Sequence, residues 1–332
     1  SFCIDFNWNN KGGPALPGMF TQADPEEHVR WYADMGVNVI QTFCVAYNGY
    51  AWYSGDAVPM QPGLNAGFLE RMVELGHQRG IAVMGYFCLG ANPRWEAENP
   101  ELYHAEMTGS FRIPCTQQYL DFFCESVRDV LTHTDVDGFM IDWFNVPRRA
   151  KWLSCEKEMY GELMGEAFPA ERELPPSGVL EYDRQSLLPS DEQLEFDRRA
   201  LARAWQRISD TVRDTRPATI WTNHPFRVPD DPLWTNHPLL REVDWVLNEG
   251  ADVRILPWLE QQVGAQTRII QNLCGWIDHD AANWRNIDTE KFGLYGFSQA
   301  DPNTTFPIDD GTEKANNQQH NIKALRQAYH EL

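Results

Sequence analysis

The sequence predicts a single (β/α)8 barrel of the TIM type. Three observations predict it. Short apolar segments alternate with longer helical ones, eight times over. The 332 residues suit an eight-unit barrel with insertions. The turn after the first strand, Trp8-Asn9-Asn10-Lys11-Gly12-Gly13, lacks the GxGxxG spacing and the prompt helix of an open dinucleotide-binding sheet.

The elements follow in order. Phe2 to Phe6 reads as the first strand. A helix starts at Asp24-Pro25-Glu26-Glu27, with Asp24 as cap, Pro25 at the first helical position and acids in the first turn. It ends at Gly36. Val37 to Cys44 is the second strand. A helix from Ala66 to Arg79 stops at Gly80, and Ile81 to Phe87 is the third strand. Gln117 to His133 reads as a helix. The fourth strand, Val136 to Asp142, is almost entirely apolar, as expected of a strand buried on both faces. Residues 143–189 form a long insertion with one short helix, Glu156 to Ala167; a connection this long is expected to act as a lid or wall over the fourth strand's end. A helix from Asp191 to Thr215 precedes the fifth strand, Ala218 to Thr222. The last three strands are Asp244 to Asn248, Arg268 to Asn272 and Gly293 to Phe297, and the helix Lys314 to His330 closes the ring.

Composition narrows the partners. A formal net charge of -20 argues against nucleic acid, whose phosphates call for Lys and Arg patches. No run of about 18 apolar residues suggests a membrane span. The seven cysteines, an odd number without a CxxC pair, argue against a zinc ribbon or a disulfide scaffold. With no visible signal peptide, they tilt the expectation toward the cytoplasm. No cofactor or metal is expected, and a homo-oligomer is left open.

In a parallel barrel the chemistry sits at the C-terminal strand ends. Here those ends carry Asp5, Asn7 and Trp8; Tyr47 and Asn48; Arg94 and Trp95; Asp142 and Trp143; Asn223 and His224; Asn248 and Glu249; and Asn272 and Trp276. Amides and carboxylates pair with sugar hydroxyls, and large rings stack on sugar C–H faces. Six of the thirteen tryptophans, Trp8, Trp52, Trp95, Trp143, Trp276 and Trp284, fall on these loops. The set implies a carbohydrate partner. Asp142 on the fourth strand and Glu249 on the sixth are one strand apart in the ring, which lets them face each other at the 5 to 9 Å that glycoside hydrolysis uses. Asp142 would be the nucleophile, kept ionised by donors such as Asn223 or Arg94. Glu249 would be the acid/base, its pKa raised by Trp245, Val246 and Leu247. Asp5, Asn7, Trp8, Tyr47, Asn48, Arg94, Trp95, Trp143, Asn223, His224, Asn272 and Trp276 would line the sugar subsite. Two rivals remain: a non-catalytic sugar-binding barrel, and a metal-dependent sugar lyase or isomerase using His224, His237 or His279 with Asp5, Asp142 or Asp278. No HxH or HExxH spacing supports a metal site.

The segment Phe43-Cys44-Val45-Ala46-Tyr47-Asn48-Gly49-Tyr50 resembles the strand of the alpha-L-fucosidases (family 29-related) that reads His-His-Asp-Gly-Phe. Asp137-Gly138-Phe139-Met140-Ile141-Asp142-Trp143 resembles the strand that carries their nucleophilic aspartate. The start, Cys3-Ile4-Asp5-Phe6-Asn7-Trp8, and Asp24-Pro25-Glu26-Glu27 look like the "hypothetical glycosyl hydrolase" barrels related to them. The resemblance implies an exo-acting, retaining glycosidase with the nucleophile at Asp142. Tyr47 and Asn48 stand where the fucosidases carry a histidine and an aspartate, which widens the expected sugar from fucose to another deoxy, anhydro or galacto-configured one.

Overall fold

The computed structural model of the chain describes residues 1–9, 13–106, 111–147, 149, 151–169, 191–250, 252–276 and 279–332, save 225–229 and the side chain of His224. Eight parallel strands close into a barrel in sequence order: β1 (Phe2–Asp5), β2 (Val39–Gln41), β3 (Ala82–Cys88), β4 (Gly138–Asp142), β5 (Thr219–His224), β6 (Trp245–Asn248), β7 (Arg268–Asn272) and β8 (Gly293–Gln299). The ring is sealed where Phe2 to Asp5 pair with Gly296 to Gln299. Register matters for function. Asp142 pairs with Cys88, Asp5 with Gln299 and Asn272 with Tyr295, so the polar strand ends come to one rim.

The outer helices start as the sequence signals require. In α1 (Pro25–Met35) the Asp24 carboxylate accepts the Glu27 amide, and Gly36 ends the helix at φ 82°, a conformation glycine adopts freely. The α2 helix spans Phe68–His77. A short α3 (Pro93–Glu98), absent from the sequence reading, starts likewise, with Asn92-Pro93 in place of Asp24-Pro25: Asn92 accepts the Trp95 amide. Thr116 caps α4 (Gln117–His133) in the same way. Then come α5 (Ser154–Met164), α6 (Asp191–Thr215), α7 (Pro238–Glu242), α8 (Leu256–Gln262) and α9 (Glu313–Glu331).

Two expected boundaries move for visible reasons. The second strand ends at Gln41 rather than Cys44, because the amides of Cys44 and Val45 both bond the Tyr86 carbonyl, and two residues against one bend the chain as a bulge does. The insertion helix stops at Met164 rather than Ala167, where Gly165 adopts φ 76°.

Within the insertion, α5 packs against α6. Met159 and Tyr160 pack with Phe196 and Ala200 of α6 in a small core of their own on the flank of the barrel. A buried ion network pins this annex. Arg149 reaches Glu156 at 2.6 Å and Asp197 at 2.8 Å, and His104 meets Glu156 at 3.0 Å; all four side chains are at most 5% exposed. The rest of the expected lid, residues 170–190, lies outside the described residues. No described helix is long and apolar enough to cross a membrane.

Candidate active site

β4 delivers Asp142 to the rim of the barrel, where only 8% of it stays exposed. The chain then turns sharply. Trp143 takes φ 52°, an uncommon conformation for an aromatic residue, and its amide swings back to donate to Asp142 Oδ1 at 2.9 Å. Gly90 makes room for this turn: a side-chain carbon there would meet Trp143 Cβ and carbonyl at 3.0 Å. Two further donors complete the set. The Tyr86 hydroxyl gives to Asp142 Oδ2 at 2.7 Å and the Asn223 amide to Oδ1 at 2.8 Å. Burial pushes Asp142 up to about 6, and these three donors restrain the rise. All three are neutral. Arg94, expected among them, turns away: it donates to the Gly49 carbonyl, pairs with Glu98 and lies over Phe122.

Glu249, just beyond β6, is half-buried. The same Asn223 nitrogen that bonds Asp142 donates to Glu249 Oε2 at 2.9 Å. One shared nitrogen therefore holds one oxygen of each carboxylate under about 6 Å apart. Asn223 is 4% exposed, and its Oδ1 is buried with no hydrogen-bond partner among the described residues. Such an orphaned acceptor costs about 1–3 kcal/mol. From β7, Asn272 braces the Glu249 backbone, donating to its carbonyl at 3.0 Å. Asn248 bonds Gln271 at 2.8 Å beneath.

Asp5 is the third acid of the rim. Burial drives it up to about 7; the Asn7 amide at 2.9 Å opposes this, the neighbouring Asp142 charge adds to it, and Lys314 and the Trp8 side chain offset it. Asn7 Oδ1 in turn accepts the Tyr47 amide at 2.8 Å, which places Tyr47 beside Trp8. Trp8 and Tyr47 stack at 5.6 Å and Trp143 meets Tyr47 edge-on at 5.1 Å, so three rings from three strand ends form one wall. Asn48 sits behind it, bonded to Gln61 and the Tyr50 amide. Its neighbour Gly49 has φ +88°, and a side chain there would collide with Asn92.

The tryptophan set therefore divides. Trp8 and Trp143 join the wall, and Trp276 stands 47% exposed after β7, edge-on to Phe297 at 5.6 Å. Trp95 is packing instead: α3 turns it onto Tyr119 at 4.7 Å, leaving it 4% exposed. Trp52 stacks on Phe6 at 4.5 Å in the core, and Trp284 is buried beside Arg285. The His224 side chain and Asp278 lie outside the described residues. His237 is a loop anchor that caps α7, its ring accepting the Leu239 amide. Among the described residues, the one His/Cys/Asp/Glu group with metal-ligand spacing is Asp56, Asp129 and His133, away from these strand ends. Its Asp129 is already occupied by the Tyr53 hydroxyl and the amides of Asp56 and Ala57.

Sequence reasoning missed two residues of the rim. Tyr86 lies two positions before Cys88, the register partner of Asp142, so strand alternation would have put it on the inward face. Lys314 bonds Gln299 Oε1 at 2.9 Å, a contact that only the closure of β8 on β1 reveals.

Residues 24–143 match the family described as Hypothetical glycosyl hydrolase 6, a stretch shorter than half the chain. No curated protein sequence matches. Among solved structures the chain is similar to alpha-L-fucosidase isoenzyme 2 from Paenibacillus thiaminolyticus, with TM-score 0.64 and 14% identity over 99% of this chain and 48% of that one. It therefore spans about half the length of that fucosidase. It is also similar to the PgaB glycoside hydrolase domain from Bordetella bronchiseptica, with TM-score 0.56 and 15% identity over 98% of this chain and 96% of that one. An Anoxybacillus alpha-amylase follows, with TM-score 0.53 and 10% identity over 100% and 78%. At these identities the likeness establishes the barrel.

Proposed function

We propose that the chain is a retaining glycoside hydrolase that acts on a terminal fucose-like or galacto-configured sugar. Asp142 is its nucleophile and Glu249 its acid/base. The observation that carries this reading is the pair of carboxylates from β4 and β6 meeting at one amide nitrogen, beside a wall of three aromatic rings. A separation under about 6 Å suits direct attack on the anomeric carbon; an inverting pair needs about 6.5–9.5 Å to admit a water.

The steps follow from the groups present. Asp142, ionised above about pH 6, attacks the anomeric carbon as Glu249 gives its proton to the departing oxygen. Glu249, now a carboxylate, takes a proton from water, which attacks the same carbon and frees Asp142. Tyr86, the Trp143 amide and Asn223 aim the nucleophile without neutralising it. Trp8, Tyr47 and Trp143 would hold the sugar's apolar face. Asp5, Asn7, His224 and Trp276 are proposed contacts around it; Asn48, behind the wall, and Asn272, fully buried under Glu249, are instead braces. A binding-only barrel is less well supported, since it has no need of two acids on one donor.

The test is a panel of aryl fucosides and galactosides of both anomeric forms. Asp142→Ala should lose hydrolysis of the preferred substrate, and added azide should restore turnover with a glycosyl azide of inverted configuration as product. Azide-insensitive loss would remove Asp142 from the nucleophile's place.

A further inference from the structure

We infer that Asn223 is a positioning residue that ties the two carboxylates into one titrating unit, a role that deepens the glycosidase reading and rests on it for its catalytic meaning. The argument is geometric. Only the NH2 end of the side chain donates, and it has two hydrogens. One nitrogen lies 2.8 Å from Asp142 Oδ1 and 2.9 Å from Glu249 Oε2, so each acid receives one of them. The other end of the amide, Oδ1, is buried and has no partner among the described residues. Buried acceptors are almost always paired. A side chain that leaves its acceptor unsatisfied while giving both donor hydrogens to acids from two other strands is oriented by those acids. β5 supplies it from between them: it lies next to β4 on one side and β6 on the other.

The surroundings make the tie consequential. Asp142 is faced by Tyr86 and Cys88 from β3, Asp5 and Cys3 from β1, Tyr295 from β8 and Glu249 beyond β6, with Lys314 of α9 acting on Asp5. Among the described residues, the hydrogen bonds to Asp142 come from the Tyr86 hydroxyl, the Trp143 amide and the Asn223 amide, all of them neutral. Asn223 donates to both acids and so favours the ionised form of each. Its loss removes a donor from each and leaves two like charges less screened, which shifts both titrations upward.

The experiment compares wild type, Asn223→Ser and Asn223→Ala. Serine offers one hydrogen in place of two, and alanine none. Carboxyl carbon NMR titration reads the acids directly, without a substrate; Asp142→Asn and Glu249→Gln spectra assign the two signals. Both midpoints should rise by about half a pH unit or more in Asn223→Ala, with Asn223→Ser between it and wild type. The acidic limb of kcat/KM on the preferred aryl glycoside should move upward in step. Unchanged midpoints in variants that melt cooperatively would overturn the inference, whether or not any glycoside is cleaved. Shifted midpoints with no glycoside turned over would uphold the tie and instead remove the hydrolase reading.

Discussion

Glu156 on the flank and the rim carboxylates Asp142 and Asp5, all buried, are treated in opposite ways. On the flank, Glu156 is fully buried against Arg149 and His104. Burial alone would raise it; the Arg149 charge and the His104 bond outweigh that and hold it below the usual range. At the rim, Asp142 and Asp5 are nearly as buried, yet Asp142 receives only a hydroxyl and two amides, and burial pushes the two up to about 6 and about 7. A carboxylate met by fixed cations is spent on architecture. One met by neutral donors keeps a proton within reach of neutral pH, which is what acid–base and nucleophilic work requires. Asp197 marks the limit of the contrast: it shares Arg149 with Glu156, yet burial still pushes it up.

That contrast can be broken in order of effect. The largest change is expected from Asp142→Asn. The isostere can keep its contacts, since the Tyr86 hydroxyl can turn from donor to acceptor. kcat should fall by about four orders of magnitude or more while circular dichroism stays native. Near-normal turnover would remove the rim from the mechanism. Next comes Glu156→Gln on the flank, which leaves Arg149 with one partner fewer. Breaking a buried ion pair should lower stability by about 3–5 kcal/mol with little direct effect on the chemical step, read by urea unfolding and kcat on the folded fraction. A loss of kcat without a loss of stability would mean that the annex takes part in catalysis.

The smallest effect tests the sign of the rim's electrostatics. A carboxyl whose folded pKa is raised destabilises the fold as pH climbs from its unfolded value, about 4, to its folded one, about 6. Asp142→Asn lacks that loss. It should therefore match wild type in stability near pH 4 and exceed it by about 1–3 kcal/mol near pH 7.5, measured by denaturant titration at both pH values. Equal differences at the two pH values would show that Asp142 is not strained by its burial.

Much of this comparison was legible in the sequence, and unevenly so. The βα alternation gave the barrel, because strand and helix periods are local properties. The apolar run ending in Asp142 pointed to the rim, since a charge closing a buried strand needs a solvated end. Asn223 was visible as a strand-end amide, but its shared nitrogen depends on how β4, β5 and β6 lie side by side. Arg94 and Trp95 misled because Asn92-Pro93 starts a short helix there. That helix turns both toward Phe122 and Tyr119 rather than the mouth. The same Asx-Pro signature was read correctly at Asp24-Pro25. The flank network was hidden for a different reason: Arg149 and Glu156 of the insertion, His104 and Asp197 come from three separate stretches, and no periodicity links them.

The most direct measurement is covalent capture at the rim. Fuco- and galacto-configured cyclophellitol aziridines, which react with a retaining nucleophile, would be incubated with the protein and the digest read by mass spectrometry. The account predicts one adduct, on the carboxylate of Asp142, abolished by Asp142→Asn. An adduct on Asp5 or Glu249, with Asp142 unmodified, would contradict it.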